Sequence, residues 1–352
     1  MPDSSIAPDR RTPQGDGAVS EIAHMPPRPE RVVGVGEALI RLTTPGRTRL
    51  EQAETLEVSV GGAELNTLIA LAQFGHGANF VTRLPDSPLG RRVIEHARRF
   101  GVDVSALWET GGRQGLYFVE SGAHPRPTEV HYDRARSAVA GLAPGQFDWA
   151  GILADAQVLH ATGITCALGE GPEDALAEAF AHARSLEIIT SFDLNHRSRL
   201  WSDARATAAF RRMAPLADVI FASAHDLALV LGHEGDPVAL ARELRDQTGG
   251  PTVVLRDTIQ PQPGRVEIRV TVVATTTVTG EPAEAEVVDT FGAGDVAAAA
   301  YLHAMLAGAA PDAAADLSAR ACAHMHTVTG DSWVLRAGEL DPAYAGGRRV
   351  LR

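Results

Sequence analysis

The sequence contains no lysine, and all 32 of its basic residues are arginine. An arginine side chain stays charged and presents a planar fork of donors to carboxylates and phosphates. A preference for arginine codons explains the same composition. The missing lysine therefore predicts which side chain would bind an anion here, but it does not show that such a site exists.

Cysteine is nearly absent as well. The two cysteines, Cys166 and Cys322, have neither a CxxC partner nor a histidine-rich neighbourhood. This excludes a disulfide scaffold and a cysteine-based zinc site, and it indicates two buried thiols in a reducing compartment. We therefore expect a cytoplasmic protein.

Long apolar runs are also missing. No stretch reaches the roughly 18 apolar residues that a membrane span requires, so no membrane partner is predicted. Residues 1–30 are rich in Pro, Ser, Asp and Arg and have no apolar signal core. We interpret them as a disordered N-terminal extension.

The charge balance is acidic, with a net charge of −12 and a pI of about 5.5. Such a balance disfavours a nucleic-acid partner but permits a local basic pocket for an anionic small molecule. The length of 352 residues and the 45% hydrophobic content are enough for a substantial core.

Strand-like and helix-like segments alternate along most of the chain. This rhythm predicts an α/β fold with a mostly parallel sheet and helices on both faces. We expect one domain over residues 31–345, followed by a short tail at 346–352. The predicted strands cover 78–85, 156–164, 188–195, 218–223 and 252–257, and the predicted helices cover 61–75, 87–101, 172–186, 203–214 and 236–248.

Two regions interrupt the alternation, at about 40–60 and 110–135. Within the second, residues 115–121 and 128–135 alternate in the manner of an antiparallel hairpin. We expect these strands to form a small β-sheet lid over the carboxyl edge of the main sheet, where ligands bind in such folds.

The stretch VVDTFGAGDVAAAA, residues 287–300, carries the strongest chemical signal. Glycines before a helix let the backbone approach a ligand, and the free N–H groups and the helix dipole make an anion hole. Asp295 stands at the first turn, where it can take a proton from a hydroxyl that attacks a phosphate. This arrangement predicts a small-molecule kinase.

Other interpretations of the glycines exist. The segment GAGD is also compatible with a tight turn in which Asp295 is an ordinary N-terminal cap. It is not a Walker A loop, which needs Gly-Lys-Ser/Thr. The segment GVGEAL at 34–39 hints at a dinucleotide site but lacks the third glycine of that motif.

Two motifs in this order, GGAELNTLIALAQFG (61–75) and DTFGAGDVAAAAYL (289–302), resemble the two signatures of the ribokinase-like (PfkB) carbohydrate kinases. The resemblance covers about residues 31–342. The segments GLYFVE, VLHATGIT, SFDLNHRSRLW and HTVTGDSW are similar to the 2-keto-3-deoxygluconate kinase branch. The resemblance implies a ribokinase-like three-layer α/β/α sandwich with a β-sheet lid, ATP and Mg²⁺ as cofactors, and a dimer formed through the lid.

The resemblance also implies residue roles. Asp295 would be the catalytic base, and the backbone of Gly292, Ala293 and Gly294 would form the anion hole. The sugar-acid chain would lie against Gly34, Gly61, Gly62 and Asn66, and its keto-acid end would be held by Tyr117, Arg134 and Arg197. The nucleotide phosphates and Mg²⁺ would lie near Asp193, Asn195, Ser223, Asp226, Asp289 and Thr290, without a dedicated protein cage for the metal.

Without the resemblance, three of these residues have plainer interpretations. Arg197 is equally compatible with a surface salt bridge, Tyr117 with a half-buried strand aromatic, and Arg134 with a solvated hairpin charge.

The sequence departs from the family pattern in three places. Tyr132-Asp133-Arg134 replaces the usual Tyr-Tyr-Arg, which adds a carboxylate near the expected acid-binding pocket unless Asp133 points away or meets Arg136. The Asn-x-x-Glu segment reads Ser223-Ala224-His225-Asp226. The segment TIQPQPGRVEIRV replaces a Gly-x-x-Gly turn on the nucleotide side.

Three functions follow as hypotheses. The first is an ATP-dependent kinase for 2-keto-3-deoxygluconate or its galactonate epimer, giving the 6-phospho product. The second is the same chemistry on another sugar, a nucleoside or a specialised-pathway alcohol, which Asp133 favours. The third is a catalytically silent sugar-binding homologue, which the altered nucleotide-side segments favour and the intact Asp295 opposes.

Overall fold

The computed structural model describes residues 31–336 and 338–341. The predicted N-terminal extension at 1–30 and the predicted tail at 346–352 lie outside the described residues. The domain boundaries at 31 and 345 therefore stay a prediction.

A ten-stranded sheet forms the centre of the fold. Its strands are β1 (Arg31–Val35), β4 (Gly77–Pro85), β5 (Val102–Glu109), β8 (Ala156–Thr162), β9 (Ile189–Asp193), β10 (Val219–Ala222), β11 (Thr252–Gln262), β12 (Arg265–Val273), β13 (Thr277–Thr279) and β14 (Ala283–Glu286). The order is β13-β12-β11-β10-β9-β8-β1-β4-β5, and β14 pairs with β12. The seven strands from β11 to β5 are parallel, and the remaining three pair antiparallel at one edge.

A separate four-stranded sheet, here called the lid sheet, has the order β3-β2-β6-β7. Its strands are β2 (Leu39–Thr43), β3 (Glu57–Gly61), β6 (Leu116–Glu120) and β7 (Glu129–Asp133). The β6–β7 pair is antiparallel, as the alternation of the sequence predicts. A dimer through this sheet stays a prediction.

Helices cover both faces of the large sheet. They are α1 (Ala63–Gln73), α2 (Pro88–Arg99), α3 (Trp149–Leu153), α4 (Gly163–Ala167), α5 (Glu170–Ser185), α6 (Asp203–Met213), α7 (Ala224–Leu231), α8 (Pro237–Gln247), α9 (Ala293–Leu306) and α10 (Pro311–His326). One apolar cluster packs α1, α2, α9 and α10 on one face, and a second packs α3 to α8 on the other. The three-layer sandwich and the lid agree with the predicted fold class.

Helix α9 is nearly all buried, from Ala293 to Ala304. Its run of alanines explains this position, because alanine has the highest helix propensity and a small side chain that lets neighbouring helices approach closely. The hydroxyl of Ser318 on α10 donates to the carbonyl of Ala297 at 2.8 Å. This hydrogen bond ties α9 to α10 at the fifth residue of α9.

Two elements differ from the sequence-based expectation. Helix α10 was not predicted from the sequence, although Pro311 in its first turn is a typical helix start. The predicted strand at 252–257 is longer and forms a hairpin with β12, turning at Gly264 (φ 77°). In the described part of the chain, no helix combines the length and apolarity needed to cross a membrane.

Candidate active site

A cavity of about 620 Å³ lies between the lid sheet and the large sheet. Its lining includes Tyr117 and Tyr132 from the lid side, and Asp193, Ser223 and Arg256 from the ends of parallel strands β9, β10 and β11 or just beyond them. Cavities of this size typically hold small-molecule ligands, and the carboxyl ends of parallel strands are where α/β folds bind them.

The N-terminus of α9 opens into this cavity. Gly292 is its N-cap in the left-handed region (φ 72°), and no side chain caps the helix. A Cβ at Gly292 would lie 2.8 Å from the carbonyl oxygen of Asp331, so a side chain is excluded by both space and conformation. The N–H of Val296 makes the first intrahelical bond, to Gly292. The preceding N–H groups are oriented to bind an anion.

Asp295 is the third residue of α9 and not its cap. Its side chain is 7% exposed, and its Oδ2 accepts a hydrogen bond from Nδ2 of Asn66 at 2.8 Å. Burial raises the pKa of Asp295 to about 6, while Asn66 and the charge of Arg197 act in the opposite direction. A carboxylate of this kind is ionised at neutral pH and still basic enough to accept a proton. The interpretation as a simple N-cap does not fit this geometry.

Two glycines predicted on the sugar side, Gly61 and Gly62, line the cavity where backbone must come close to other groups. A Cβ at Gly61 would lie 2.5 Å from the hydroxyl of Tyr117, and one at Gly62 would lie 2.3 Å from the carbonyl of Glu37. Tyr117 also lines the cavity, is 4% exposed, and donates its hydroxyl to Asp331 at 2.8 Å.

The two predicted acid-binding arginines differ in their surroundings. Arg134 is buried and paired with Glu37, whose second oxygen accepts from Ser137 at 2.6 Å. Arg197 is exposed, lines the cavity and forms no ion pair with any described residue. Arg197 therefore has free hydrogen-bonding capacity toward a ligand, whereas the charge of Arg134 is already balanced.

Asp133 is not part of the cavity lining. Its carboxylate pairs with Arg113 at 2.8 Å and is 55% exposed. Tyr132 and Arg134, on either side of it, both line the cavity. The extra carboxylate thus points away, but its partner is Arg113 and not Arg136.

On the predicted nucleotide side, Asp193, Asn195, Ser223, Asp226 and Thr290 all line the same cavity. Burial raises the pKa of Asp193 to about 7. Both oxygens of Asp193 accept hydrogen bonds from Asn195, at 3.1 and 3.4 Å.

Asp226 closes a capping box with Ser223 at the start of α7 and accepts from the N–H of His196 at 3.1 Å. The replaced Asn-x-x-Glu segment therefore still presents a buried carboxylate to the cavity. The segment that replaces the Gly-x-x-Gly turn contributes Thr258, Gln260 and Val266 to the wall.

Two predicted site residues lie elsewhere. Gly34 is in strand β1, away from the cavity lining, and a Cβ there would lie 2.8 Å from Cδ1 of Leu68. Its lack of a side chain is explained by the packing of α1 on the sheet. Asp289 is also absent from the lining, and its carboxylate instead pairs with Arg41 at 3.1 Å.

Three residues that line the cavity, Glu37, Arg256 and Asp331, were not predicted from the sequence, and neither was Arg41, which pairs with Asp331. Arg256 follows the apolar part of β11 and lies beside the anion hole, since a Cβ at Gly294 would be 2.5 Å from its Nη1. The position of Arg256 at the end of a parallel strand is a signal that could have found it. The described residues contain no group of three or more His, Cys, Asp or Glu side chains arranged to hold a metal ion.

A helix N-terminus free to bind phosphate, a buried carboxylate beside it and a lid over the edge of a parallel sheet are the features of a small-molecule kinase. A sequence model of the pfkB family carbohydrate kinases matches residues 29–332. The chain belongs to this family, and the resemblance seen in the sequence is confirmed.

Three similar proteins are named as kinases of 2-dehydro-3-deoxy sugar acids. The chain is 37% identical to a 2-dehydro-3-deoxygalactonokinase of Haloferax volcanii, over 90% of this chain and 97% of the relative. It is 30% identical to a 2-dehydro-3-deoxygluconokinase of Thermoproteus tenax, over 86% and 90%. The crystal structure of a 2-dehydro-3-deoxygluconokinase from Thermotoga maritima superposes with a TM-score of 0.85 at 34% identity, covering 90% and 98%. The protein is thus a sugar kinase that transfers phosphate to a hydroxyl group, and membership of the family implies ATP as the donor.

Proposed function

We propose that this enzyme transfers the γ-phosphate of ATP to the terminal hydroxyl of 2-keto-3-deoxygluconate or its galactonate epimer. The observation that carries this proposal is Arg197, which forms no ion pair with any described residue and lines the same cavity as Asp295 and the open end of α9. An unpaired guanidinium forms a charge-assisted, often bidentate pair with a carboxylate. The names of the similar kinases support the same acceptor class.

The transfer assigns one task to each group. Asp295 takes the proton of the terminal hydroxyl, whose oxygen forms a bond to the γ-phosphorus while the bond to the bridging oxygen of ADP breaks. The N–H groups of Ala293 and Gly294 stabilise the charge that spreads over the phosphoryl oxygens. Closure of the lid sheet excludes water, which limits wasteful hydrolysis of ATP.

Mg²⁺ would be held on the side of Asp193 and Asp226. Both are carboxylates that line the cavity, and oxygen donors are the ligands that Mg²⁺ prefers, commonly through water. The ion would neutralise charge on the nucleotide phosphates when bound.

The acceptor is tested by ADP release across a panel of 2-keto-3-deoxygluconate, 2-keto-3-deoxygalactonate, gluconate, fructose and ribose. We expect kcat/KM for at least one of the two keto acids to exceed that for the neutral sugars by about 100-fold, since a lost charge-assisted hydrogen bond costs about 1.5–3 kcal/mol. ADP release with both keto acids at the level of the acceptor-free reaction would overturn the proposal.

The role of Asp295 as general base predicts that kcat/KM depends on pH. Because only the ionised carboxylate accepts a proton, kcat/KM should rise with pH and level off above the pKa of Asp295, which is about 6. Asn66 and Arg197 stabilise this anion and Asp331 destabilises it. Asn66→Ala removes one donor and should move the acidic limb of the kcat/KM profile to higher pH. An unshifted limb in Asn66→Ala would contradict the assignment.

Asp133 provides a test of the second acceptor hypothesis. Since its carboxylate pairs with Arg113 outside the cavity, Asp133→Asn should change kcat/KM for the keto acid by less than about twofold. Steady-state kinetics on both keto acids measure this. A gain of tenfold or more in Asp133→Asn would mean that this carboxylate opposes acid binding after all.

A further inference from the structure

Arg41 joins the lid sheet to two loops of the main domain. It lies in β2, is 2% exposed, and donates through Nη1 to Asp331 Oδ2 at 2.7 Å and through Nη2 to Asp289 Oδ2 at 3.1 Å. Its guanidinium carbon also lies 4.3 Å from the centre of the Phe291 ring. A single side chain thus connects the lid, the loop before α9 and the loop after α10.

The contact between Arg41 and Asp289 links the lid sheet to the loop that leads into the anion hole. Oδ1 of Asp289 accepts from the N–H groups of Thr290 at 2.7 Å and Phe291 at 3.4 Å, and Oδ2 accepts from Gly330 N–H at 3.0 Å. The backbone of the loop that leads into α9 is therefore hydrogen-bonded to the carboxylate of Asp289, and Arg41 forms an ion pair with the same carboxylate.

The contact between Arg41 and Asp331 links the lid sheet to the cavity wall on the predicted sugar side. Asp331 lines the cavity, and the same oxygen that accepts from Arg41 accepts from the hydroxyl of Tyr117. Asp331, which is buried, and Asp289, whose side chain is 12% exposed, thus share one guanidinium. A planar fork reaches both at once, whereas the single ammonium group of a lysine does not offer the same two-sided geometry.

We propose that Arg41 is a positioning residue that couples the lid to the loop 289–294, so that the amides of the anion hole are held in place only while this bridge is formed. The kinetic part of the proposal rests on the kinase function proposed above. The structural part does not, because the order of the loop can be measured without any acceptor.

Hydrogen exchange tests the structural part. In the protein without ligands, the hydrogen-bonded amides of 289–291 should exchange at least about tenfold faster in Arg41→Lys than in the wild type, because Asp289, which accepts from Thr290 and Phe291, loses its bond to Arg41. Arg49→Ala is the matched control, since Arg49 is a second arginine near the lid, is 53% exposed and forms a long ion pair with Glu120 at 3.6 Å. Its exchange in this segment should equal that of the wild type.

Kinetics test the coupling to phosphoryl transfer. Arg41→Ala should lower kcat about 100-fold while KM for ATP changes less than about threefold, because the loop is misplaced but the nucleotide site is intact. Guanidinium added at millimolar concentration should restore part of kcat in Arg41→Ala and none in Asp295→Asn. If Arg41→Ala does not fold, Arg41→Lys takes its place in the kinetic comparison, with a smaller loss of kcat expected.

The outcomes separate the two proposals. Unchanged exchange in 289–291 together with a kcat within twofold of the wild type would overturn the role of Arg41. An equal rise of the KM for ATP and the KM for the acceptor at constant kcat would also overturn it. Faster exchange in a protein that phosphorylates no sugar acid would remove the proposed function and leave the bridging role of Arg41 standing.

Discussion

Replacement of Asp295 by asparagine should lower kcat by about 10²- to 10⁴-fold, the range that general-base catalysis supplies. An asparagine at this position has the same size, and its amide oxygen can still accept from Asn66, so the helix and the cavity are expected to keep their shape. What is lost is the ability to take the proton of the attacking hydroxyl. Steady-state ADP release at saturating ATP and keto acid measures the effect.

Asp312→Asn is the control for this substitution. Asp312 is an exposed carboxylate in the first turn of α10, so it has the same type of position on a helix but lies outside the cavity. We expect kinetics equal to the wild type. Turnover of Asp295→Asn within about threefold of the wild type, in a folded protein, would remove Asp295 from the role of base.

Loss of Arg197 should lower the activity on acid acceptors and leave the activity on neutral acceptors unchanged. In Arg197→Ala, kcat/KM for the keto acid is expected to fall about 10- to 100-fold, since a hydrogen bond to a charged group contributes about 1.5–3 kcal/mol. The small residual activity with neutral sugars should not change, because those acceptors have no carboxylate. The result is a loss of preference, measured by the ratio of kcat/KM values across the acceptor panel.

The proximity of Arg197 to Asp295 adds a second expected effect. Because the guanidinium of Arg197 lowers the pKa of Asp295, the acidic limb of the kcat/KM profile should move to higher pH in Arg197→Ala. Arg91→Ala, which breaks an exposed pair with Asp86, should change neither property. Equal losses for acid and neutral acceptors would show that Arg197 does not recognise the carboxylate.

Local patterns were sufficient to predict most of the fold. Alternating strands and helices indicated the parallel sheet, and the period-two alternation around 115–135 indicated the lid hairpin. Helix α10 was missed because it continues an alanine-rich region with little contrast between its faces. The antiparallel edge is a different case, since the pairing of β12 with both β11 and β14 depends on contacts beyond any local pattern.

Ion pairs between distant positions could not be predicted. Arg41 meets Asp331 across 290 positions, and Arg134 meets Glu37 across 97. The sequence offers a charge at each position but no measure of which opposite charge folding brings to it. This is why the pairing of Asp289 with Arg41 was not predicted and Glu37 was overlooked.

The orientation of Asp133, by contrast, could have been predicted from the sequence. Successive side chains of a strand point to opposite faces, so residues 132 and 134 share one face and residue 133 takes the other. Had this rule been applied, the added carboxylate would have been placed outside the pocket. Gly34 is the reverse case, since a glycine required by the packing of Leu68 looks the same in sequence as one that borders a ligand.

The most direct test is a crystal structure with Mg²⁺, a non-hydrolysable ATP analogue and 2-keto-3-deoxygluconate. We predict that the γ-phosphate oxygens lie about 3 Å from the amide nitrogens of Ala293 and Gly294, with the terminal hydroxyl of the acid about 2.6–3.2 Å from Asp295. A γ-phosphate bound away from the start of α9, or an acceptor hydroxyl out of reach of Asp295, would contradict the account.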